Sequence, residues 1–407
     1  MLQSGDTAFV LISAALVLLM IPGLALFYGG MVRKKNVLGT IMQSFILISL
    51  VTFEWIYLGY SMSFGPDLGG LIGSLEWAGL GGIGAAPNAD YAPTIPHIAF
   101  AMYQCMFAAI TPALITGAVA ERMRFGPFLV FSLAWTILIY NPVCHWVWGS
   151  GGWLKTMGVL DFAGGIVVHL TCGAAALAAV LLTGPRKDHG KHQIVPHNLP
   201  MTLLGTGLLW FGWFGFNAGS ALAADGVAAG AFAATHIGGM AGMAMWCGVE
   251  WWHRGKPTTL GAASGAVAGL ATITPGAGFV SPGSAVVFGL LAGLICYGAV
   301  LLKARLRFDD SLDVVGIHGV GGVLGSILVG VFASKLANPA GADGLLAGNP
   351  GQLGVQLLAI AVVGVFAFAG SWLILAGVKA VMGLRLMPQA ETVGLDLSEH
   401  TEAAYGE

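Results

Sequence analysis

The chain has 407 residues, of which 57% are hydrophobic and only 9% charged, with a formal net charge of −2. A soluble domain carries roughly 25% charged residues. This composition cannot cover a water-facing surface, so it excludes a soluble globular protein and leaves an integral membrane protein; the near-neutral charge carries no signal for a nucleic-acid partner.

A helix needs roughly 20 apolar residues to cross the hydrocarbon core. Eleven stretches qualify, near 8–30, 40–64, 98–120, 126–148, 162–183, 198–219, 226–251, 258–277, 282–302, 314–333 and 353–378. The first is preceded by Met1–Thr7, which has no basic residue, and it runs through Pro22-Gly23 to Tyr28-Gly29-Gly30. It reads as a retained helix, unlike a cleaved secretory leader. The stretch near 258–277 is the weakest, being rich in Gly and Ala and ending at Thr274-Pro275-Gly276. Small residues of that kind let helices pack closely in lipid. Cys105, Cys144, Cys172, Cys247 and Cys296 all fall within or at the ends of apolar stretches. They read as small core side chains, with no disulfide framework.

Lys and Arg set the orientation. With the N-terminus outside, the inner loops hold Arg33, Lys34, Lys35, Arg122, Arg124, Arg186, Lys187, Lys191, Arg254, Lys256, Lys303, Arg305 and Arg307, and the C-terminal segment adds Lys379 and Arg385. Only Lys155 and Lys335 remain outside. The expected fold is an all-α membrane protein of eleven transmembrane helices, N-out and C-in. Five helices precede the loop at 184–197 and five follow it, and an odd number per half inverts the second copy. The expected units are a first repeat over 1–183, a second over 198–335, an eleventh helix over 353–378 and a cytoplasmic tail over 379–407.

The two halves share a motif. Asp161-Phe-Ala-Gly-Gly-Ile-Val-Val-His169 opens the fifth span, and Asp310-Ser-Leu-Asp-Val-Val-Gly-Ile-His318 opens the tenth. Ionisable residues inside a bilayer are costly and mark transport or proton-handling sites, and inverted repeats place such sites near the midplane. Eight helical residues advance about 12 Å, so an Asp at each surface puts the two imidazoles at similar depth in a core about 30 Å thick. The competing reading of each His is a hydrogen-bonded packing residue. Asp161 and Asp310 read equally as N-caps, and Asp161 alternatively as a stabiliser of a cation arriving from outside.

Aromatic residues cluster around this motif. Tyr103 and Phe107 lie one turn apart, Trp148 ends the fourth span, and Trp210, Phe211, Trp213, Phe214 and Phe216 crowd the sixth before Asn217 and Ser220. An interfacial aromatic belt accounts for such residues, as does a cage of ring faces for a small cation. The glycine runs Gly164-Gly165, Gly238-Gly239 and Gly319 to Gly322 lack the strand and lysine of a nucleotide loop. Close helix packing accounts for them better.

Four segments together resemble the ammonium transporter family, in its bacterial branch. They are Asp161 to His169, Gly316-Ile-His318-Gly319-Val-Gly-Gly322, Trp210 to Ser220, and Phe107 to Arg122 with its internal Thr111-Pro112. The resemblance covers essentially the whole chain. It implies a homotrimer in the cell membrane with one pore per subunit, carrying ammonium or ammonia, with methylammonium a further candidate substrate, and with no enzyme activity and no cofactor or metal. It assigns Tyr103, Phe107, Trp148 and Ser220 to an outer recruitment site with Asp161 below it. Phe107 and Phe216 become the gate, and His169, His318 and Trp213 the pore lining. Tyr103 stands where the family has Phe, and its added hydroxyl bears on affinity. The tail from Gly394 through Asp396 to Tyr405 resembles the family's cytoplasmic tail, implying docking at the subunit interface and a PII-type partner; its bland reading is a disordered polar end. Other classes to set beside a transporter are a haem protein with axial histidines, an ammonium sensor acting through its tail, and a Rhesus-type gas channel. An intramembrane aspartyl protease is disfavoured, since no span carries Gly-x-Gly-Asp.

Overall fold

The computed structural model describes residues 1–192, 194–306 and 308–406. Arg307, one of the basic residues used for orientation, lies outside the described residues. The main helices are α1 (Ser4–Met31), α2 (Lys34–Phe64), α3 (His97–Val119), α4 (125–148), α5 (Gly165–Thr183) and α6 (Leu199–Ala218). They continue with α7 (Gly226–Arg254), α8 (Thr259–Ile273), α9 (Pro282–Leu306), α10 (Val315–Phe332) and α11 (Pro350–Met382). Two short helices, α12 (Pro388–Val393) and α13 (Leu395–His400), follow in the tail. Among the described residues ten helices are long and apolar enough to cross a membrane.

The eighth predicted span is the exception. Helix α8 has 15 residues, about 22 Å at 1.5 Å per residue, less than a hydrocarbon core of about 30 Å. The helix stops because Pro275 follows Thr274 and the chain closes into tight turns, with Gly276 N donating to Ile273 O at 2.9 Å and Phe279 N to Gly276 O at 2.8 Å. Non-helical backbone at such depth is tolerated only inside protein. Here it lies against the equally non-helical lead-in to α5, where Phe162 N donates to Pro275 O at 3.0 Å. Gln356 of α11 clamps the same lead-in, accepting from Leu160 N and donating to Leu160 O, both at 2.8 Å.

Helices α1 and α6 pack along their lengths, and α7 packs on α8 and α9. Large apolar side chains such as Leu11, Phe45, Phe53, Leu204, Phe211 and Leu373 remain exposed. In a soluble protein such a surface would drive association; on a membrane protein it faces lipid. A two-residue β-ribbon, Asp67–Leu68 against Ile72–Gly73, is a small β element that the all-α expectation did not include. The cysteines are all free; four are buried and Cys247 is half-buried.

The helices are not uniformly α. Wider π turns occupy Trp55–Gly59, Thr136–Tyr140, Gly165–Leu170 and Val315–Gly319. The last two open α5 and α10, and π turns concentrate at functional positions.

At one pole the connecting loops are tied by buried ions. Glu121 accepts from the backbone N of Arg33 at 2.7 Å, from Asn36 Nδ2 at 3.0 Å and from Arg186 Nη1 at 3.0 Å. Arg186 also forks onto Asp309 through two contacts of 2.8 Å. Arg122 donates to Gly184 O, Asp309 O and Ser311 Oγ. The basic residues that marked this side are therefore partly structural. Burial pushes the Glu121 and Asp309 carboxyls up, but the facing guanidiniums outweigh it and hold both below the ordinary carboxylate range. The stability this contributes is fully present at neutral pH and is lost as pH falls below about 4, through the lowered folded values. Removing one partner of a buried pair costs about 3–5 kcal/mol because the other charge stays buried. Glu121→Gln should therefore lower the thermal unfolding midpoint of the purified protein at pH 7. The gap to the native protein should narrow as the pH is taken below 4.

Candidate functional site

The site begins where α5 begins. Asp161 precedes the helix, and its carboxylate accepts from four backbone amides in succession: Gly164 at 2.9 Å, Gly165 at 2.6 Å, Ile166 at 2.8 Å and Val167 at 3.0 Å. These amides of the first turn have no intrahelical partner. Gly164 sits at φ +116°, which an L side chain rarely adopts. Asp310 serves α10 in the same way, accepting from Val315 N at 2.8 Å. The N-cap reading thus describes both aspartates. The expectation of eight helical residues from Asp to His needs correction, because both aspartates lie before their helices and each histidine stands in the opening π turn.

The two histidines meet. His169 Nδ1 and His318 Nδ1 are 3.2 Å apart, and the rings are stacked with centroids 5.2 Å apart. A contact between two Nδ1 atoms requires one to donate and the other to accept, so the pair holds one proton between its rings. The approach depends on Gly173, where a Cβ would stand 2.2 Å from Gly319 Cα. Trp213 stacks on His169 at 5.6 Å and anchors its indole N–H on Thr274 Oγ1 at 2.9 Å. His169 Nε2 is buried and has no partner among the described residues.

A cavity of about 10 Å³ runs beside the pair, lined by Met20, Leu24, Leu114, Leu209, Val267 and the two imidazoles, among others. That is near the lower limit for holding one water, about 10–15 Å³. Among the described residues no carboxylate lines it. Phe107 and Phe216 stack over its end with centroids 4.2 Å apart, and both are buried. On the far side of these rings lies a wider cavity of about 140 Å³, lined by Phe107, Trp148, Ser220 and others. Trp148 stands edge-on to Phe107 at 6.0 Å and donates its N–H to the Asp161 carbonyl at 2.8 Å. Ser220 Oγ donates to Phe216 O at 2.9 Å, which leaves a lone pair for an incoming donor beside the Tyr103 hydroxyl.

Two predicted mouth residues do not line this cavity. Asp161 spends its carboxylate on the backbone. Tyr103 is fully buried; its hydroxyl reaches the carbonyls of Gly215 and Phe216, each at 2.9 Å, and Ser220 Oγ at 3.2 Å. Its extra oxygen braces Ser220. The sequence reading missed Phe64, Asp90, Tyr91, Phe100, Gln104 and Lys155, which line the same cavity. Gln104, a lone amide on the apolar face beside Tyr103, was the available signal.

The tail is docked on the basic pole, contrary to the bland reading of a disordered end. Gly394, at φ +111°, passes so close to Lys35 that a Cβ would meet its carbonyl at 2.3 Å. Asp396 Oδ1 accepts from Gly39 N at 2.8 Å. Tyr405 donates to His197 Nε2 at 2.8 Å.

The chain matches the Ammonium Transporter Family over residues 8–405. An ammonium transporter of Bacillus subtilis is 51% identical over 99% of both chains. Ammonium transporter Amt1 of Archaeoglobus fulgidus is 46% identical over 99% of this chain and all of its own length. The crystal structure of Candida albicans Mep2 superposes with a TM-score of 0.90 at 35% identity, covering 95% of this chain and 87% of that one. A structure described as a sensor Amt protein does so at 0.90 and 30%, covering 97% and 98%. With ten apolar helices of spanning length among the described residues and relatives named as transporters rather than enzymes, this multi-pass membrane protein belongs to the ammonium transporter family.

Proposed function

We propose that the protein carries ammonium inward as NH₃ after removing a proton at the outer mouth. NH₄⁺ is received between Phe107, Trp148 and Ser220, where ring faces and a hydroxyl lone pair replace water. It gives up a proton there to water of the outer cavity, and NH₃ passes the Phe107/Phe216 stack into the cavity beside His169 and His318. The observation that carries this reading is the narrow, carboxylate-free cavity along the imidazole pair. A bare cation there lacks compensation and is disfavoured by several kcal/mol, whereas a neutral amine of water's size is not. K⁺ has no proton to shed and is excluded on the same ground.

In this reading the chain spans the membrane eleven times, N-out and C-in, as two inverted five-helix units over 1–183 and 198–335 followed by α11. The short α8 counts as a span because its end is buried against the lead-in to α5. Three copies assemble, each with its own pore. The docked tail favours a second, regulatory role, with Gly394, Asp396 and Tyr405 as its contacts and a PII-type protein as its reader.

Flux of labelled methylammonium, or ammonium-evoked current, in voltage-clamped proteoliposomes tests the transport reading. Replacing His169 and His318 together by Ala should cut selective ammonium flux to under about a tenth with the fold retained; unchanged selectivity makes them packing residues. A current in the native protein marks the proton as co-transported, and its absence marks net passage of NH₃.

Asp161→Asn separates scaffold from ligand. Asn offers one carbonyl to four amides, and each buried group left unsatisfied costs about 1–3 kcal/mol. The variant should show a lowered melting temperature, whereas a pure recruiting role would raise the KM alone. Truncation after Gly383 should leave flux measurable but abolish its response to the signal protein; undiminished regulation argues against the tail as reader.

A further inference from the structure

The outer cavity is lined by a residue that the proposed mechanism does not use. Lys155, in the short turn Trp153–Thr156, lines the same outer cavity as Phe107, Trp148 and Ser220. Its Nζ donates to the Trp148 carbonyl at 2.9 Å and stands 5.6 Å from the centre of the Tyr91 ring. Tyr91 is itself fixed: its hydroxyl donates to Phe64 O at 2.7 Å and accepts from Ser150 N at 2.9 Å, and its ring stacks on Phe100 at 5.1 Å. Asp90 lies beside it in the cavity wall, as does Gln104, whose Oε1 is buried and has no partner among the described residues.

A carbonyl oxygen, a ring face and a nearby carboxylate are what a small ammonium ion seeks. Here a primary ammonium of the chain itself already occupies them. The rest of this pole is acidic at its surface, with Asp6, Asp67, Glu76, Asp90, Asp225 and Asp343 set against Lys155 and Lys335. The pole as a whole therefore favours cations, and the mouth of the cavity is where that preference is opposed.

We propose that Lys155 is a specificity-determining residue of the outer site, a tethered ammonium that competes with the incoming ion for the Trp148–Tyr91 face of the cavity and repels it. Its removal opens a second ammonium subsite formed by the Trp148 carbonyl, the Tyr91 ring, Asp90 and the free Gln104 oxygen. This rests on the cavity being the entry for ammonium.

The experiment is initial-rate uptake of ammonium into proteoliposomes by the native protein, Lys155→Met and Lys155→Arg, at low and at about 0.5 M ionic strength. Two unit charges several Å apart in a mostly aqueous setting change affinity by about threefold to tenfold. Lys155→Met should lower the apparent KM by that factor with kcat within about twofold. The difference should shrink at high salt, where the Debye length falls to a few Å. Lys155→Arg keeps the charge and should keep the native KM. A KM that is unchanged or raised in Lys155→Met, or equal changes in both variants, overturns the proposal; a raised KM would make Lys155 a brace for Trp148. Failure of the native protein to take up ammonium at all would instead overturn the transport reading, so the two failures are distinguishable.

Discussion

Four consecutive backbone amides converge on the two oxygens of one carboxylate at Asp161. Backbone polar groups inside a membrane protein must be satisfied internally. A helix that starts below the surface leaves its first amides without partners. A charged cap at this point lets α5 begin inside protein, in a π turn, with His169 on the turn. The buried acid serves geometry first, and its carbonyl then fixes the Trp148 indole. One residue thus couples the start of the inner cavity to the wall of the outer one.

The second constraint is distance. The two imidazoles meet where the backbones of α5 and α10 come into direct contact, one turn beyond His169 and next to His318. Gly173 and Gly319 permit this, since any Cβ on Gly173 would collide with the opposing backbone. The breaks in α5 and at the end of α8 meet in the same region and satisfy each other through Phe162 N and Pro275 O. Small residues, broken helices and paired histidines are therefore one arrangement: the breaks aim the rings, and the glycines bring them together.

The two poles divide the remaining work. At the basic pole, charges that orient a membrane protein also neutralise one another, so that Glu121 and Asp309 gather four loops and the tail lies across them. At the other pole a closed aromatic stack separates a cavity wide enough for a hydrated ion from one near the size of a single small molecule. The narrower cavity is lined by apolar side chains and the two imidazoles.

Composition and periodicity made much of this legible. Apolar runs located ten helices to within about two turns at each end, and the repeated Asp-x7-His spacing singled out the four residues that begin α5 and α10. These signals are local: they depend on which residues neighbour one another along the chain. The tertiary structure decided the rest. The shortness of α8 depends on backbone breaks supported by residues from other helices, and a hydropathy run does not register them. The contact of His169 with His318, 149 positions apart, depends on how closely two helices can cross at Gly173. The far wall of the outer cavity comes from the loop around Tyr91 and the turn around Lys155, which no spacing in the sequence connects. The tail reads as polar and featureless because its partners, Asn36 and Gly39 in the first turns of α2 and His197 in the loop before α6, are brought beneath it only by folding.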